Sequence, residues 1–295
     1  MGTVGKMLLI LKSRTRIRTL NMKEGVYMNS EITVFIPSFN PGRFLVDALE
    51  SVYMQTYSDW RVILIDDGSY DNSMSLAQPL LNDPRILVVR IDKNLGQSKA
   101  QNIALALVNT PYMLQLDSDD WLLPHALETL LNEFKKQPDD VAVVSANIEV
   151  FNEETEFLNN NNNKPGLFLL KGRLFKDRYD FLSSNFSLWP RCFRTSALKK
   201  VGGWPINDPY EGRHLEDKRI LYRLIEEYRF HWIDEVLYVH RRHDHNNTRN
   251  VAIYNDIIEY SIRDILKRWG DKYEPSFYID AQGWKNLGEL IPKLY

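Results

Sequence analysis

The sequence contains very little cysteine, with Cys192 as the one thiol among 295 residues. A single thiol cannot build a disulfide framework or a zinc cluster of thiolates, and this composition is typical of a reducing cytosol. The chain also lacks an apolar run of about 18 residues, so no transmembrane helix is expected. Neither sign of charge predominates, with 37 Lys and Arg against 39 Asp and Glu. General attraction to nucleic acid is therefore not expected.

The first thirty residues differ from the rest of the chain. Their apolar run at 7–11 is too short for a signal peptide, and the basic residues follow it instead of preceding it: Lys12, Arg14, Arg16 and Arg18. We expect a disordered basic extension over residues 1–30. A start assigned too far upstream of Met22 or Met28 is one alternative, and contact of the arm with anionic lipid is another.

From residue 32 onward, apolar strand patterns alternate with helical patterns. Strands are predicted at 32–36, 61–65, 86–91 and 112–116, and helices at about 44–54, 72–81 and 97–108. Buried strands that alternate with helices predict an α/β fold with a mostly parallel sheet and helices on both faces. In such a sheet, ligands bind beyond the carboxyl ends of the strands.

Polar side chains follow three of these strands, in segments 37–40, 66–69 and 117–120. The last segment reads D-S-D-D and contains Asp117, Asp119 and Asp120. Carboxylates at a strand end suit Mg²⁺ or Mn²⁺, which keep coordination positions free for substrate phosphates. The structural alternative is a turn that caps the following helix.

Two phosphate-binding signatures are missing. The sequence has no G-x-x-x-x-G-K-[ST] segment, so a P-loop would not hold phosphate. No G-x-G-x-x-G follows the first strand, which argues against a dinucleotide fold. A nucleotide site in this chain would then depend on carboxylates that contact base or ribose and on a metal that bridges the diphosphate.

Four segments in order carry a resemblance: I-P-S-F-N at 36–40, D-D-G-S at 66–69, N-L-G at 94–96 with K-A-Q-N at 99–102, and D-S-D-D at 117–120. Over about residues 31–150 they resemble the family 2 glycosyltransferases of GT-A fold, and weaker markers continue to about residue 249. The resemblance implies a nucleoside-diphosphate-sugar donor, with a UDP-sugar favoured, a divalent metal and inversion at the anomeric carbon.

The resemblance also implies roles in the nucleotide-sugar site. Asp67 would contact the base or ribose, Pro37 and Phe39 would line the same pocket, and Lys99 would lie near the diphosphate. The full expected set is Pro37, Phe39, Asn40, Asp66, Asp67, Lys99, Asp117, Ser118 and Arg241. Structural alternatives are a helix N-terminal acid pair for Asp66 and Asp67, and a solvated helix lysine for Lys99.

For Mn²⁺ or Mg²⁺, the resemblance implies ligands in the acidic segment. Asp119 would bind the metal, Asp117 would join its shell or contact ribose, and Asp120 would lie nearby. The R-R-H segment at 241–243 makes His243 the preferred histidine ligand and His240 the reserve, with a structural role as the alternative for His240. Zinc held by the histidines after residue 238 is a weaker alternative, because the segment lacks cysteine.

The segment L-E-D-K at 215–218 resembles the E-D motif of the family, whose aspartate is the usual catalytic base. Asp217 would take the acceptor hydroxyl's proton during inverting transfer, with Glu216 beside it. The structural alternative is that both acids occupy the first turn of a helix near its positive end. Trp189 and Trp204 are expected to stack on acceptor sugars, with burial in the core as the alternative.

We therefore expect three parts after the extension: a nucleotide-sugar-binding part over 31–150, an acceptor-binding and catalytic part over 151–250, and a C-terminal helical tail over 251–295. The asparagine tract at 159–163 is expected to be a loop. The acceptor would be a glycan or lipid-linked glycan of the cell envelope, a capsule or a secreted polysaccharide. The expected location is the cytoplasm, with the inner face of the membrane as the alternative.

Two rival functions are consistent with parts of this pattern. A sugar nucleotidyltransferase also combines an α/β sheet with a metal, but it would need a Gly-rich basic loop after the first strand. That loop here reads P-S-F-N-P-G at 37–42, with Arg43 as its basic neighbour. The second rival is a glycan-binding protein that keeps the fold without catalysis.

Overall fold

The computed structural model describes residues 17–20, 30–153, 167–243 and 250–294. The asparagine tract at 159–163 and most of the N-terminal basic cluster lie outside these residues. The described residues form a ten-stranded sheet and a separate two-stranded sheet. Six strands of the large sheet run in the same direction. The predicted α/β fold with a mostly parallel central sheet is confirmed.

The first half alternates strands and helices as predicted. Its elements are β1 (Ile17–Leu20), β2 (Ile32–Ser38), α1 (Phe44–Tyr53), β3 (Trp60–Asp66), α2 (Ser73–Ala77), β4 (Ile86–Ile91), α3 (Gln97–Leu107) and β5 (Tyr112–Gln115). Strands β4, β3, β2 and β5 are parallel neighbours in that order. Their carboxyl ends therefore meet at one edge, where the segments 37–40, 66–69 and 117–120 begin.

The helix predicted over 72–81 is shorter than expected. It ends at Ala77, and a 3₁₀ turn at Leu80–Asn82 replaces its second half. Pro79 explains the break, because proline lacks the N–H that would continue the helix and its ring clashes with the preceding turn.

The second half completes the sheet out of chain order. It contains β6 (Trp121–Leu122), α4 (Ala126–Lys136), β7 (Val141–Asn152), β8 (Leu167–Leu170), α5 (Arg178–Ser183), β9 (Arg191–Arg194), α6 (Thr195–Lys200), α7 (Glu216–Leu224) and β10 (Arg229–Arg242). Strand β9 is inserted antiparallel between β5 and β7, with Arg191 opposite Gln115. Strand β10 is parallel to β7 and antiparallel to β6. The sheet is thus continuous across the expected boundary at residue 150.

Both ends of the chain differ from expectation. Strand β1, in the extension predicted to be disordered, pairs antiparallel with β4 at the edge of the sheet. Such pairing satisfies the backbone groups of an edge strand without a strong apolar pattern. The C-terminal part begins with the predicted helix, α8 (Val251–Arg268), and continues with a hairpin of β11 (Tyr273–Ile279) and β12 (Lys285–Pro292). The tail is therefore helix and hairpin, not helical throughout.

The core has two layers, one on each face of the sheet. Along β2, Val34 and Ile36 belong to the layer under α1 and α4, whereas Phe35 belongs to the layer under α3, α7 and α8. This alternation follows from the two-residue period of a strand. Within the described ranges, none of the helices combines the length and apolarity needed to cross a membrane.

Candidate active site

Asn40 links the loop after β2 to the loop after β3 through hydrogen bonds. The Asn40 backbone N–H donates to Ser69 Oγ (3.0 Å), and Asn40 Oδ1 accepts from the Tyr70 backbone N–H (2.9 Å). These bonds stabilise the left-handed backbone of Asn40, whose φ is 50°. Beside them, the rings of Phe39 and Tyr70 are 44% and 85% exposed and lie 6.0 Å apart. Pro37 precedes them as a buried residue of β2.

Asp67 and Asp66 are buried acids whose oxygens bind other loops and strands. Asp67 Oδ1 and Oδ2 accept from the backbone N–H groups of Leu95 and Gly96, each at 2.8 Å. Burial raises the pKa of Asp67 to about 6, although these two bonds oppose the shift. Asp66 Oδ2 accepts from Arg90 Nε at 2.9 Å. A carboxylate oxygen has a second lone pair, so contact of either acid with a nucleotide stays a prediction.

Lys99 is engaged with the loop that precedes α7. Its ammonium forms an ion pair with Glu211, and nearby Arg213 Nη1 donates to Asn94 Oδ1 at 2.7 Å. The N-L-G loop at 94–96 and the loop around 211–213 are therefore in contact. Sequence reasoning selected Lys99 but missed Arg213, since an exposed loop arginine has no local signal.

Asp120 attaches the acidic segment to β10. Its carboxylate accepts from the Tyr238 hydroxyl (2.6 Å) and the Arg241 backbone N–H (2.8 Å), and it lies 3.2 Å from His240 Nδ1. Burial raises the pKa of Asp120 to about 6. Both oxygens contact protein groups and the side chain is 0% exposed, so a metal at Asp120 would have to compete with these contacts. Asp120 as a metal ligand stays a prediction, and its placement favours the structural alternative for His240.

Asp119 contacts His243, which follows the end of β10. Asp119 Oδ2 is 3.0 Å from His243 Nε2, and the two side chains are 27% and 8% exposed. The imidazole packs on the ring of Phe44, with centroids 4.7 Å apart. Among the described residues, no group of three or more His, Cys, Asp or Glu side chains is arranged to hold a metal. A metal at this pair would need further ligands from phosphate and water, as Mg²⁺ and Mn²⁺ sites commonly have.

Arg241 is buried and donates hydrogen bonds to protein oxygens. Its guanidinium donates to Asp47 Oδ2 (2.6 Å), Glu153 Oε1 (3.2 Å) and the Asp119 carbonyl (3.0 Å). It also lies over the ring of Phe44 at 4.4 Å. Arg241 therefore connects β10 to α1, and the expected contact with a diphosphate would compete with these bonds. Ser118, between the acids, is partly exposed.

Helix α7 begins with Glu216 and Asp217, which have different environments. The Asp217 side chain is 22% exposed, and its Oδ2 accepts from the Ser187 hydroxyl at 2.9 Å. Glu216 is buried, and burial raises its pKa to about 8, with the charge of Asp217 acting in the same direction. The raised pKa favours the protonated form of Glu216 near neutral pH. Asp217 is the partly exposed acid of the pair.

Arg191 lies between the two acidic parts of the site. Its guanidinium is 3.0 Å from Asp117 Oδ2 and 3.5 Å from Asp217 Oδ2. Asp117 Oδ1 also accepts from Gln115 Nε2 at 2.9 Å. Sequence reasoning missed Arg191, because an arginine at the start of a short strand belongs to no recognisable motif.

The two tryptophans expected to bind acceptor have different environments. Trp189 is partly exposed and stacks on His240, with ring centroids 5.9 Å apart. Trp204 is 1% exposed and packs edge-on against Phe35 at 5.5 Å. A ring without an exposed face cannot stack on a sugar, so Trp204 is a core residue and the expectation for it is corrected.

The C-terminal part adds aromatic side chains that the sequence did not indicate. Tyr254 on α8 contacts His214 and Trp284, with ring centroids 5.4 and 5.7 Å apart. The pKa of the Tyr254 hydroxyl is raised by burial and by the charges of Glu216 and Asp217. Helix α8 therefore borders the E-D pair.

Comparisons with known proteins identify the family and the fold of the chain. The profile of the family described as Glycosyl transferase family 2 matches residues 33–202. Glycosyltransferase GlyG of Streptococcus pneumoniae serotype 4 is 32% identical over 117 residues, which are 39% of this chain and 39% of GlyG. The chain thus spans well under half the length of that curated relative.

Two solved structures are similar in fold. S. aureus TarS 1–349 in complex with UDP-GlcNAc has a TM-score of 0.61 at 17% identity, over 80% of this chain and 66% of that chain. Mannosyltransferase PcManGT of Pyrobaculum calidifontis, in complex with GDP-Man and Mn²⁺, has a TM-score of 0.56 at 16% identity, over 92% and 71%. These likenesses show the GT-A fold. Because the family match extends over more than half of the sequence, the chain belongs to glycosyl transferase family 2.

Proposed function

We propose that this protein is a metal-dependent, inverting glycosyltransferase. It transfers a sugar from a nucleoside-diphosphate sugar, with a UDP-sugar favoured, to a hydroxyl of a glycan or lipid-linked acceptor. The observation that carries the proposal is the position of Asp117 and Asp217 on one guanidinium, at 3.0 and 3.5 Å. In this proposal, Arg191 joins the acidic segment of the donor side to the base of the acceptor side.

The donor would bind over the carboxyl ends of β2, β3 and β5. The exposed rings of Phe39 and Tyr70 offer apolar faces on which a nucleobase can stack. Asp67 and Asp117 would contact base or ribose, and Lys99 would lie near the diphosphate. TarS with UDP-GlcNAc and PcManGT with GDP-Man support a nucleotide sugar as donor.

Asp119 and His243 are the residues that would hold the metal. A carboxylate and an imidazole are both suitable ligands for Mn²⁺, and here they face each other at 3.0 Å on the donor side of the cleft. A bound Mn²⁺ or Mg²⁺ would neutralise charge on the leaving nucleoside diphosphate. The Mn²⁺ in the PcManGT complex supports a divalent metal as the cofactor.

Asp217 would act as the base. As the acceptor oxygen forms its bond to the anomeric carbon, Asp217 takes the hydroxyl proton, and the nucleoside diphosphate leaves from the opposite face, which inverts the configuration. Ser187 orients the carboxylate through its 2.9 Å bond. The raised pKa of Glu216 reduces the negative charge beside it near neutral pH. Of the two tryptophans expected to bind the acceptor, Trp189 is the one with exposed surface for a sugar.

Calorimetric titration with UDP, GDP and TDP, each with Mn²⁺ and with EDTA, tests the donor assignment without knowledge of the acceptor. Metal-dependent binding of one nucleotide is expected, followed by slow hydrolysis of the corresponding nucleotide sugar. No binding of any nucleotide would favour a glycan-binding protein without catalysis. Formation of a nucleotide sugar from a sugar 1-phosphate and a nucleoside triphosphate would instead indicate a nucleotidyltransferase.

A further inference from the structure

Arg191 occupies a position in the sheet that reaches both ends of the cleft. It is the first residue of β9, and the antiparallel register places it opposite Gln115, two residues before Asp117. Asp117 and Asp217 are 74 and 26 residues away from it in the chain. The insertion of β9 beside β5 therefore creates a contact that neither acidic motif contains.

The guanidinium of Arg191 is held on several sides. Its side chain is 3% exposed. Its Nε donates to Gln115 Oε1 at 3.3 Å and its Nη1 to the Leu188 carbonyl at 3.4 Å, in addition to the two carboxylates. Gln115 also binds Asp117 Oδ1, so the guanidinium, the amide and the Asp117 carboxylate form one closed group. This geometry restricts movement of the guanidinium relative to the sheet.

A buried guanidinium needs compensation, because removal of a cation from water is unfavourable unless carboxylates and further hydrogen bonds replace the water. Arginine stays charged and presents its N–H groups in a rigid planar fork. Two carboxylates on different edges of that fork are thus kept at a fixed separation. Without the cation, Asp117 and Asp217 would repel each other and lose this common support.

We propose that Arg191 is a positioning residue that sets the place of Asp217 relative to the donor site. The inference rests on the proposed function, with Asp217 as base. Arg191 acts through the two acids and takes no proton itself. Because a misplacement of about 1 Å can reduce a rate by about 100-fold, its loss should reduce turnover much more than it reduces nucleotide affinity.

The test compares Arg191→Met and Arg191→Lys with Arg194→Met. Arg194 is the matched control, since it belongs to the same strand but donates to the carbonyls of Val141 and Pro138, away from the cleft. Hydrolysis of UDP-GlcNAc, UDP-glucose, UDP-galactose and UDP-glucuronate with Mn²⁺ provides kcat and KM for whichever is a substrate, and calorimetry provides the Kd of UDP. Melting by circular dichroism reports folding.

For Arg191→Met we expect kcat to fall by about 100-fold and the Kd of UDP to rise much less, because Gln115 still holds Asp117. Arg191→Lys should recover part of the rate because it retains the charge, and Arg194→Met should keep the rate. In the Asp217→Asn background, Arg191→Met should have little further effect, because the residue that it positions is already removed.

Three results would overturn the inference. One is an unchanged kcat in a folded Arg191→Met protein. Another is a double variant, Arg191→Met with Asp217→Asn, whose loss of kcat equals the product of the two single losses. If Arg191→Met fails to fold, Arg191→Lys decides: an unchanged kcat then overturns the inference. By contrast, absence of both UDP binding and hydrolysis in the unsubstituted protein would overturn the proposed function, and this inference with it.

Discussion

Asp119 Oδ2 and His243 Nε2 lie 3.0 Å apart although 124 residues separate them in the chain. The contact exists because β10 pairs with β6 and β7, which brings the end of β10 next to the segment that follows β5. Asp120 reinforces the same junction through Tyr238 and the backbone of Arg241. Asp120 thus anchors the loop that contains the D-S-D-D segment, and the neighbouring Asp119 contacts His243.

Asp119→Asn should weaken metal-dependent nucleotide binding. An amide is a poorer ligand for Mn²⁺ than a carboxylate, so the Kd of UDP in the presence of Mn²⁺ should rise by about tenfold or more. The Kd in EDTA should stay unchanged. Calorimetry measures both, with Asp139→Asn as control because the side chain of Asp139 is 100% exposed. Equal UDP affinity of Asp119→Asn and the original protein in Mn²⁺ would exclude Asp119 as a metal ligand.

Asp217→Asn should remove the base and retain the donor site. Loss of a general base costs about 10²- to 10⁴-fold in rate, and we expect kcat for nucleotide-sugar hydrolysis or transfer to fall within that range. UDP affinity should change little, because Asp217 contacts Ser187 and Arg191 on the other side of the cleft. Glu227→Gln is the control, because Glu227 is an exposed acid paired with Lys200. Retained kcat in Asp217→Asn would mean that another group accepts the proton.

Gly68→Ala should destabilise the fold more than Gly42→Ala. Both glycines have a positive φ, of 80° and 60°, but a Cβ at Gly68 would lie 2.7 Å from the backbone of Lys93 and Asn94, whereas nothing lies within 4 Å at Gly42. The left-handed backbone alone costs an alanine about 1–2 kcal/mol. The clash should raise the loss at Gly68 to about 2–5 kcal/mol. Urea unfolding measures the free energy of unfolding of both variants. Equal losses would show that the loop at 93–94 moves away from the new Cβ at little cost.

Glu216→Gln should change how stability depends on pH. Burial raises the pKa of Glu216 from 4.5 to about 8, so between these values the folded protein keeps a proton that the unfolded chain has released. The free energy of unfolding therefore decreases as the pH rises through this window, and this loss of stability is complete above about pH 8. Glutamine has no proton to lose.

The stability of Glu216→Gln relative to the original protein should therefore increase from about pH 4.5 to pH 8 and then level off, by an amount on the order of a few kcal/mol. Thermal melting at a series of pH values measures the difference. Glu211→Gln is the control, because its exposed carboxylate is paired with Lys99 and its pKa is lowered. A difference that stays constant with pH would contradict a raised pKa for Glu216.

Local patterns predicted much of the first half of the fold. The strand predicted over 86–91 is β4 (Ile86–Ile91), and the strands predicted over 32–36 and 61–65 lie within β2 and β3. Apolar runs bounded by turn residues are local signals, so strands of this kind can be predicted without tertiary information. Where local rules compete the prediction was wrong, as at Pro79, which divides the helix expected over 72–81.

The environment of each site residue was harder to predict. Sequence placed Asp119 and Asp120 in one motif, but one faces the cleft and the other is buried on Tyr238. It treated Trp189 and Trp204 alike, and the second is a core residue. These distinctions depend on which strand packs beside each loop, and residue type does not contain that information. The roles expected for Pro37, Asn40 and Ser118 stay predictions.

The sequence by itself determined the alternation of strands and helices and the presence of acids at the strand ends, because periodicity and turn chemistry act over a few residues. The tertiary structure alone decided which of those acids face the cleft. That choice follows from the insertion of β9 between β5 and β7 and from the pairing of β10 with β6, which bring Arg191 and His243 to partners far away in the chain. Such contacts depend on strand order, and strand order is set by how the whole core packs.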